Sequence, residues 1–187
     1  MVSPQLVVLA GPNGAGKTTF YQTFLAGAGL PFVNADAIAQ ALNIDAGDAA
    51  KCADAARAAM LESRQSFITE TVFSDPVGAK LEFLRHAIFV GYQAELVFIG
   101  IASANLSEAR VIQRVSHGGH DVPSDRLERR YKQSLQNLAA AITFMPSVRV
   151  FDNSDVDHPY RLVLHTQNGT VIHRCSPFPP WLEAVGL

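Results

Sequence analysis

Apolar positions fall into short continuous runs, separated by longer stretches that are alanine-rich on one face and polar on the other. Residues 6–10, LVVLA, make the first such run, with two adjacent valines and a glycine behind it. A run with no polar alternation reads as a strand buried on both faces, the usual state in a parallel sheet. Runs at 31–34 (PFVN), 66–71 (SFITET), 93–101 and 147–151 predict four more strands. The intervening stretches predict helices over 17–25, 36–42, 46–65, 75–89, 106–116 and 124–142. Strands alternating with helices imply right-handed crossovers. The expected fold class is therefore α/β, a doubly wound, mainly parallel sheet with helices on both faces.

The end of the chain departs from this pattern. In YRLVLHTQNGTVIHRC two strand-like runs surround Asn168-Gly169, a strong hairpin signal. A small antiparallel C-terminal hairpin is expected at the sheet edge. The proline-rich SPFPPW that follows predicts a tail docked through Trp181.

Length and composition limit the rest. The 187 residues, 48% hydrophobic and 17% charged, suit one globular domain spanning 1–187. The formal net charge of −2 supplies no global field for nucleic acid or an anionic membrane. Eleven of the fifteen basic residues are arginine, which favours forked contacts to carboxylate or phosphate. Cys52 and Cys175 lack metal or disulfide spacing, and Cys52, within an alanine-rich helix, reads as a core residue. No apolar run approaches membrane length and residues 1–10 lack a signal-peptide pattern, so a cytoplasmic protein without a membrane segment is expected.

The chemistry begins directly after the first strand. Gly11-Pro12-Asn13-Gly14-Ala15-Gly16-Lys17-Thr18 fits GxxxxGK[ST] at every fixed position, with Thr19 next. Small residues let backbone N–H groups turn inward as an anion nest, and the following helix adds its N-terminal dipole. Lys17 can reach the β- and γ-phosphates of ATP, and the Thr18 hydroxyl can ligate Mg²⁺. The setting, buried strand before and helix after, predicts the P-loop NTPase fold. No guanine-reading motif follows, and at this length a small-molecule kinase is the leading class.

A kinase needs its acceptor near the γ-phosphate, at the carboxyl ends of neighbouring strands. Asp36 follows the second strand, 19 residues after Lys17, and Glu70 lies at the end of the third. Either acid could accept a hydroxyl proton or hold Mg²⁺. For Asp36 the competing reading is a helix N-cap at the start of ADAIAQAL. For Glu70, burial without a partner would be costly, which favours a functional role.

The ordered set of P-loop, VNADAIA, ETVFS, RVSHGGHDVP, RRYKQSLQNL and VFDNS resembles the zeta toxin family, over roughly residues 6–154. That resemblance implies a P-loop kinase whose best-known acceptor is a sugar hydroxyl of UDP-N-acetylglucosamine, and an antitoxin as partner. It implies Lys17 as the P-loop lysine, Asp36 as general base, Glu70 as the strand-end acid, and Arg114 as one of two arginines clamping the transferred phosphate. The second family arginine falls near HGGHDVP, where this chain has His120. Its charge could come from Arg126, Arg129 or Arg130. Where long members carry an arginine four residues after the strand-end acid, this chain has Ser74.

Arg110, Arg114, Arg126, Arg129, Arg130 and Lys132 lie within 23 residues around HGGHDVP. Two helices flanking a glycine-rich turn suggest a lid at about 105–142 that excludes water on closing. Arginines there would stabilise charge spreading over the transferred phosphoryl group. The competing reading is a solvated helix face, with Asp125–Arg129 and Glu128–Lys132 at ion-pair spacing. Arg114 has no acid three or four residues away. It and Arg130 are the favoured phosphate ligands, and His120 a candidate for substrate contact. The segment FDNS at 151–154 is either where adenine rests or an ordinary Asx turn. The expected function is ATP-dependent phosphorylation of a hydroxyl on a small molecule, with a nucleoside, dinucleotide or antibiotic as other acceptors. A regulatory P-loop ATPase is the rival class. Nucleic acid is disfavoured as a partner by charge and by the lack of interleaved aromatics.

Overall fold

The computed structural model describes residues 3–115, 124–184 and 186, without the side chains of residues 114, 115, 124 and 125. Seven strands form one sheet in the order β2-β3-β1-β4-β5-β6-β7. They are β1 (Gln5–Ala10), β2 (Phe32–Val33), β3 (Phe67–Thr71), β4 (Gln93–Gly100), β5 (Ser147–Asp152), β6 (Arg161–Gln167) and β7 (Thr170–Arg174). The first five are parallel; β6 and β7 add antiparallel. The chain moves from β1 to one side of the sheet for β2 and β3, then to the other side for β4 and β5. This reversal beside β1 is the topological switch point, and it opens a crevice at the carboxyl ends of the strands. The predicted parallel core and terminal hairpin are both present. Asn168 (φ 47°) and Gly169 (φ 75°) make the tight turn between β6 and β7.

The helices are α1 (Lys17–Phe20), α2 (Ala35–Leu42), α3 (Ala46–Glu62), α4 (Ala79–Phe89), α5 (Ala104–Val115), α6 (Ser124–Ile142) and α7 (Pro180–Glu183). Three sequence expectations change. The helix expected over 17–25 keeps α-winding only through Phe20 and widens to π-winding over Tyr21–Leu25. Along that path Tyr21 stacks on Phe32 with centroids 3.6 Å apart, while Phe20 and Phe24 both pack edge-on against Tyr160. The helix expected from residue 75 starts at Ala79. Gly78 precedes it at φ 80°, a conformation no helix interior accepts, and the Asp75 carboxylate accepts a bond from the Lys80 amide. Cys52 is exposed rather than in the core. The buried stripe of α3 runs Ala49, Ala53, Arg57, Leu61, and Cys52 lies off it.

The central strands supply the core, with Leu6, Leu9, Phe67, Leu96, Phe98 and Ile99 all buried. The C-terminal tail closes one end as expected. Trp181 is only 6% exposed and lies over Gly100, where an added Cβ would come within 2.1 Å of the indole ring. Replacing Trp181 by alanine should lower unfolding free energy by about 3 kcal/mol, the usual loss for a buried large aromatic. Urea denaturation checks this. A change under about 1 kcal/mol would mean that the tail contributes little to the core.

Candidate functional site

The P-loop, residues 11–18, leaves β1 and enters α1 at the switch point. Gly11 is required sterically: a Cβ there would stand 2.1 Å from the Ile99 carbonyl oxygen on β4. The loop's own carbonyls are tied by side chains from distant elements. The Ser107 hydroxyl of α5 donates to Asn13 O at 2.6 Å. The Asn153 amide donates to Ala15 O at 2.8 Å, and the Tyr160 hydroxyl donates to Gly16 O at 2.9 Å. In a trans peptide the carbonyl and the next N–H point in opposite directions. Binding these three oxygens on one side therefore turns the N–H groups of Gly14, Gly16 and Lys17 to the other side. That is the geometry of an anion nest.

Asn153 is itself held. Arg110 of α5 donates to the backbone oxygens of Asn153 at 2.8 Å and Ser154 at 3.5 Å. Asp152 accepts from the Ser154 amide at 3.1 Å and from its hydroxyl, so FDNS does form the Asx turn. Burial pushes the Tyr160 phenol above its ordinary range, which keeps it a neutral donor.

Lys17 is 6% exposed and donates to Gly11 O at 2.9 Å and Pro12 O at 3.0 Å. Its ammonium lies 3.8 Å from a Glu70 carboxylate oxygen. Glu70, the penultimate residue of β3, also accepts from Asn34 at 2.7 Å and from the Thr18 hydroxyl at 3.4 Å. Glu70 is thus partnered within the chain, so the cost of burying it alone does not by itself argue for a functional role. Thr18 and Thr19 are exposed at the mouth of the loop.

Beyond Glu70 opens a cavity of about 680 Å³. Asp36 lines it from α2, with Arg126, Arg129 and Arg130 from α6. Asp36 is not a helix cap. Asn34 fills that role, its side-chain oxygen accepting from the Ala37 amide at 2.8 Å. Arg126, Arg129, Arg130 and Gln133 form one broad face of α6 toward the cavity. Burial first, then the charges of Arg126 and Arg129, lowers the Arg130 pKa from its ordinary value. Lys132 points elsewhere and pairs with Glu128 at 2.7 Å, as its spacing predicted. Arg114 falls on α5 but its side chain lies outside the described residues, as does the Asp125 side chain, and His120 lies wholly outside them. Among the described residues, no group of three or more His, Cys, Asp or Glu could hold a metal ion. No described helix is long and apolar enough to cross a membrane.

Two cavity residues escaped the sequence reading. Arg57 is 8% exposed, donates to Thr69 Oγ1 at 3.2 Å and pairs with Asp54. Lys80 lies 3.3 Å from the same Asp54. An arginine on the alanine stripe of α3 was the available signal for the first. Asn153 lay within FDNS, but nothing local pointed to its bond with the loop, and Tyr160 carried no signal.

A buried strand, this loop and a sheet switching beside it define the P-loop NTPase fold, in the form shared with small-molecule kinases. The zeta toxin family model matches residues 34–162, more than half of the chain, and the chain belongs to that family. The match begins downstream of the P-loop, so motif and family assignment are separate observations. No curated protein sequence matches the chain. Similar solved structures include the AvrRxo1-ORF1:AvrRxo1-ORF2 complex with sulphate ions, at TM-score 0.70 and 18% identity. That alignment covers 90% of this chain and 60% of the other, so the chain spans about three fifths of that relative's length. The PezAT chromosomal toxin-antitoxin system of Streptococcus pneumoniae matches at TM-score 0.65 and 14% identity, covering 100% and 85%. Shikimate kinase from Bacteroides thetaiotaomicron matches at TM-score 0.53 and 17% identity, covering 82% and 89%.

Asn153→Ala should weaken MgATP binding about fivefold, the effect of losing one buried hydrogen bond from the nest's support. Calorimetric titration measures it. Unchanged affinity would show that the loop keeps its shape without this tie.

Proposed function

We propose that the protein is an ATP- and Mg²⁺-dependent kinase that transfers the γ-phosphate to a hydroxyl of a small molecule. The observation that carries this reading is the junction at Glu70. A shaped phosphate loop lies on one side of it, and a cavity lined by Asp36 and by four arginines, Arg57, Arg126, Arg129 and Arg130, lies on the other. A hydrolase has no need of an acceptor cavity at this point, whereas a transferase does.

In this reading residues 11–19 hold the triphosphate. The donor set fits Mg²⁺, because the Thr18 hydroxyl and the Glu70 carboxylate are hard oxygens side by side at the nest. These two would hold the ion, which when bound neutralises phosphate charge. Lys17 is placed to exchange its contact with Glu70 for the β- and γ-phosphates. Asp36 accepts or orients the proton of the acceptor hydroxyl. Arg130, with Arg126 or Arg129 and with Arg114 from α5, balances charge on the transferred phosphoryl oxygens. Adenine rests near the turn at 151–154. The segment of about 105–142 acts as the lid of a single domain, and His120 contacts substrate. The acceptor favoured by family membership is UDP-N-acetylglucosamine. The toxin–antitoxin system among similar folds supports an antitoxin as partner, and the cytoplasm is the proposed site of action.

The test is incubation with γ-labelled ATP, Mg²⁺ and either UDP-N-acetylglucosamine or a total metabolite extract, read by mass spectrometry. A product heavier by one phosphate group is expected. Asp36→Asn should cut its formation at least ~100-fold, within the range for loss of a general base, while MgATP binding persists. Slow release of phosphate to water, with no phosphorylated product from any extract, would replace this reading by a regulatory ATPase.

A further inference from the structure

Asn34 uses both ends of its amide. Its oxygen accepts from the Ala37 N–H at 2.8 Å and so caps α2, the helix that carries Asp36. Its nitrogen donates to Glu70 Oε2 at 2.7 Å. The side chain is buried, at 6% exposure. The direction of the amide is fixed by chemistry, since the Glu70 carboxylate can only accept and the Ala37 N–H can only donate.

α2 packs on α3 and rests Ala35 and Ile38 against the core, but few side chains tie it directly to β3. The strand leading into α2 has only two residues, Phe32 and Val33, and α2 has no buried residue of its own. One other side-chain tie reaches this corner, the Thr69 hydroxyl donating to Val33 O at 3.1 Å. Packing places α2 as a whole, and Asn34 is the side chain that bonds both this helix and the Glu70 carboxylate.

We propose that Asn34 is a positioning residue that locks the Asp36 helix and the Glu70 carboxylate into one fixed relation. This rests on the reading above, in which Asp36 and Glu70 flank the transferred phosphate. A cap alone would be served equally well by aspartate, which ranks beside asparagine at this position. An aspartate can cap the helix but cannot donate to a carboxylate, whereas the amide does both.

Two measurements test it. The first is amide hydrogen exchange at Ala37, followed by NMR in wild type, Glu70→Ala and Glu70→Gln. Glu70→Ala frees the Asn34 nitrogen and should speed exchange at Ala37 about fivefold, the worth of one hydrogen bond. Glu70→Gln keeps an acceptor oxygen and should stay near wild type. Unchanged exchange in Glu70→Ala overturns the coupling. The second is Asn34→Asp, assayed with ATP and UDP-N-acetylglucosamine as probes. Two carboxylates then face each other, so the melting temperature should fall; assayed well below it, kcat should drop about 30-fold through misplacement of the reacting groups, a larger change than in the KM for ATP. Wild-type kcat in Asn34→Asp would reduce Asn34 to a cap. Absence of transfer to UDP-N-acetylglucosamine by the wild-type protein itself would count against that acceptor, and absence of any product from the metabolite extract against the kinase reading. The exchange experiment decides the coupling without any turnover.

Discussion

The carbonyl oxygens of the phosphate loop are bound on one side by three side chains, and the rest of the site depends on that. Glycine and alanine permit many loop shapes, so composition alone does not aim the N–H groups. Ser107, Asn153 and Tyr160 do, each from a different part of the chain beyond β4. Their convergence requires β1, β4 and β5 to lie side by side, which the strand order supplies. Arg110 then fixes Asn153 through its backbone, giving the loop a second layer of support. The sheet thus acts as the frame on which an otherwise soft loop is held open to an anion.

Charge is sorted along the crevice in a matching way. A lysine as buried as Lys17 is costly unless its ammonium is bonded. Two loop carbonyls and Glu70 meet that need. Glu70 in turn joins Lys17, Thr18 and Asn34, so one carboxylate connects the phosphate loop, the Asp36 helix and the cavity. Across the cavity, burial and then the charges of Arg126 and Arg129 lower the Arg130 pKa. An anion between these arginines and the loop would offset the like charges.

How much of this was legible in the chain follows from how far each signal had to travel. The strand–loop–helix unit, the parallel core and the hairpin at Asn168-Gly169 are written in contiguous residues. Glu70 and Asp36 could be read because an acid beside a buried strand end is locally conspicuous. Even so, the helix-cap alternative for Asp36 belonged two residues earlier, to Asn34, since a cap is settled by backbone angles rather than by residue type. Asn153 and Tyr160 could not be read, because their partners lie 138 and 144 positions away. Cys52 was misjudged because alanine-rich helices offer little contrast between faces, and only packing on the sheet decides which face is buried. Arg57 illustrates the converse, a cation buried on an apolar stripe because Thr69 and Asp54 receive its guanidinium.

The central claim is that the nest at residues 14–17 and the cavity at Asp36 belong to one transfer site. Amide chemical shifts recorded by NMR on adding a non-hydrolysable Mg²⁺–ATP analogue test it most directly. The account predicts the largest changes at Gly14, Gly16, Lys17 and Thr18, with smaller concerted changes at Glu70, Asp36 and Ala37. Large shifts confined to another surface, with the loop amides unmoved, would contradict it. So would a loop response that leaves Glu70, Asp36 and Ala37 unchanged.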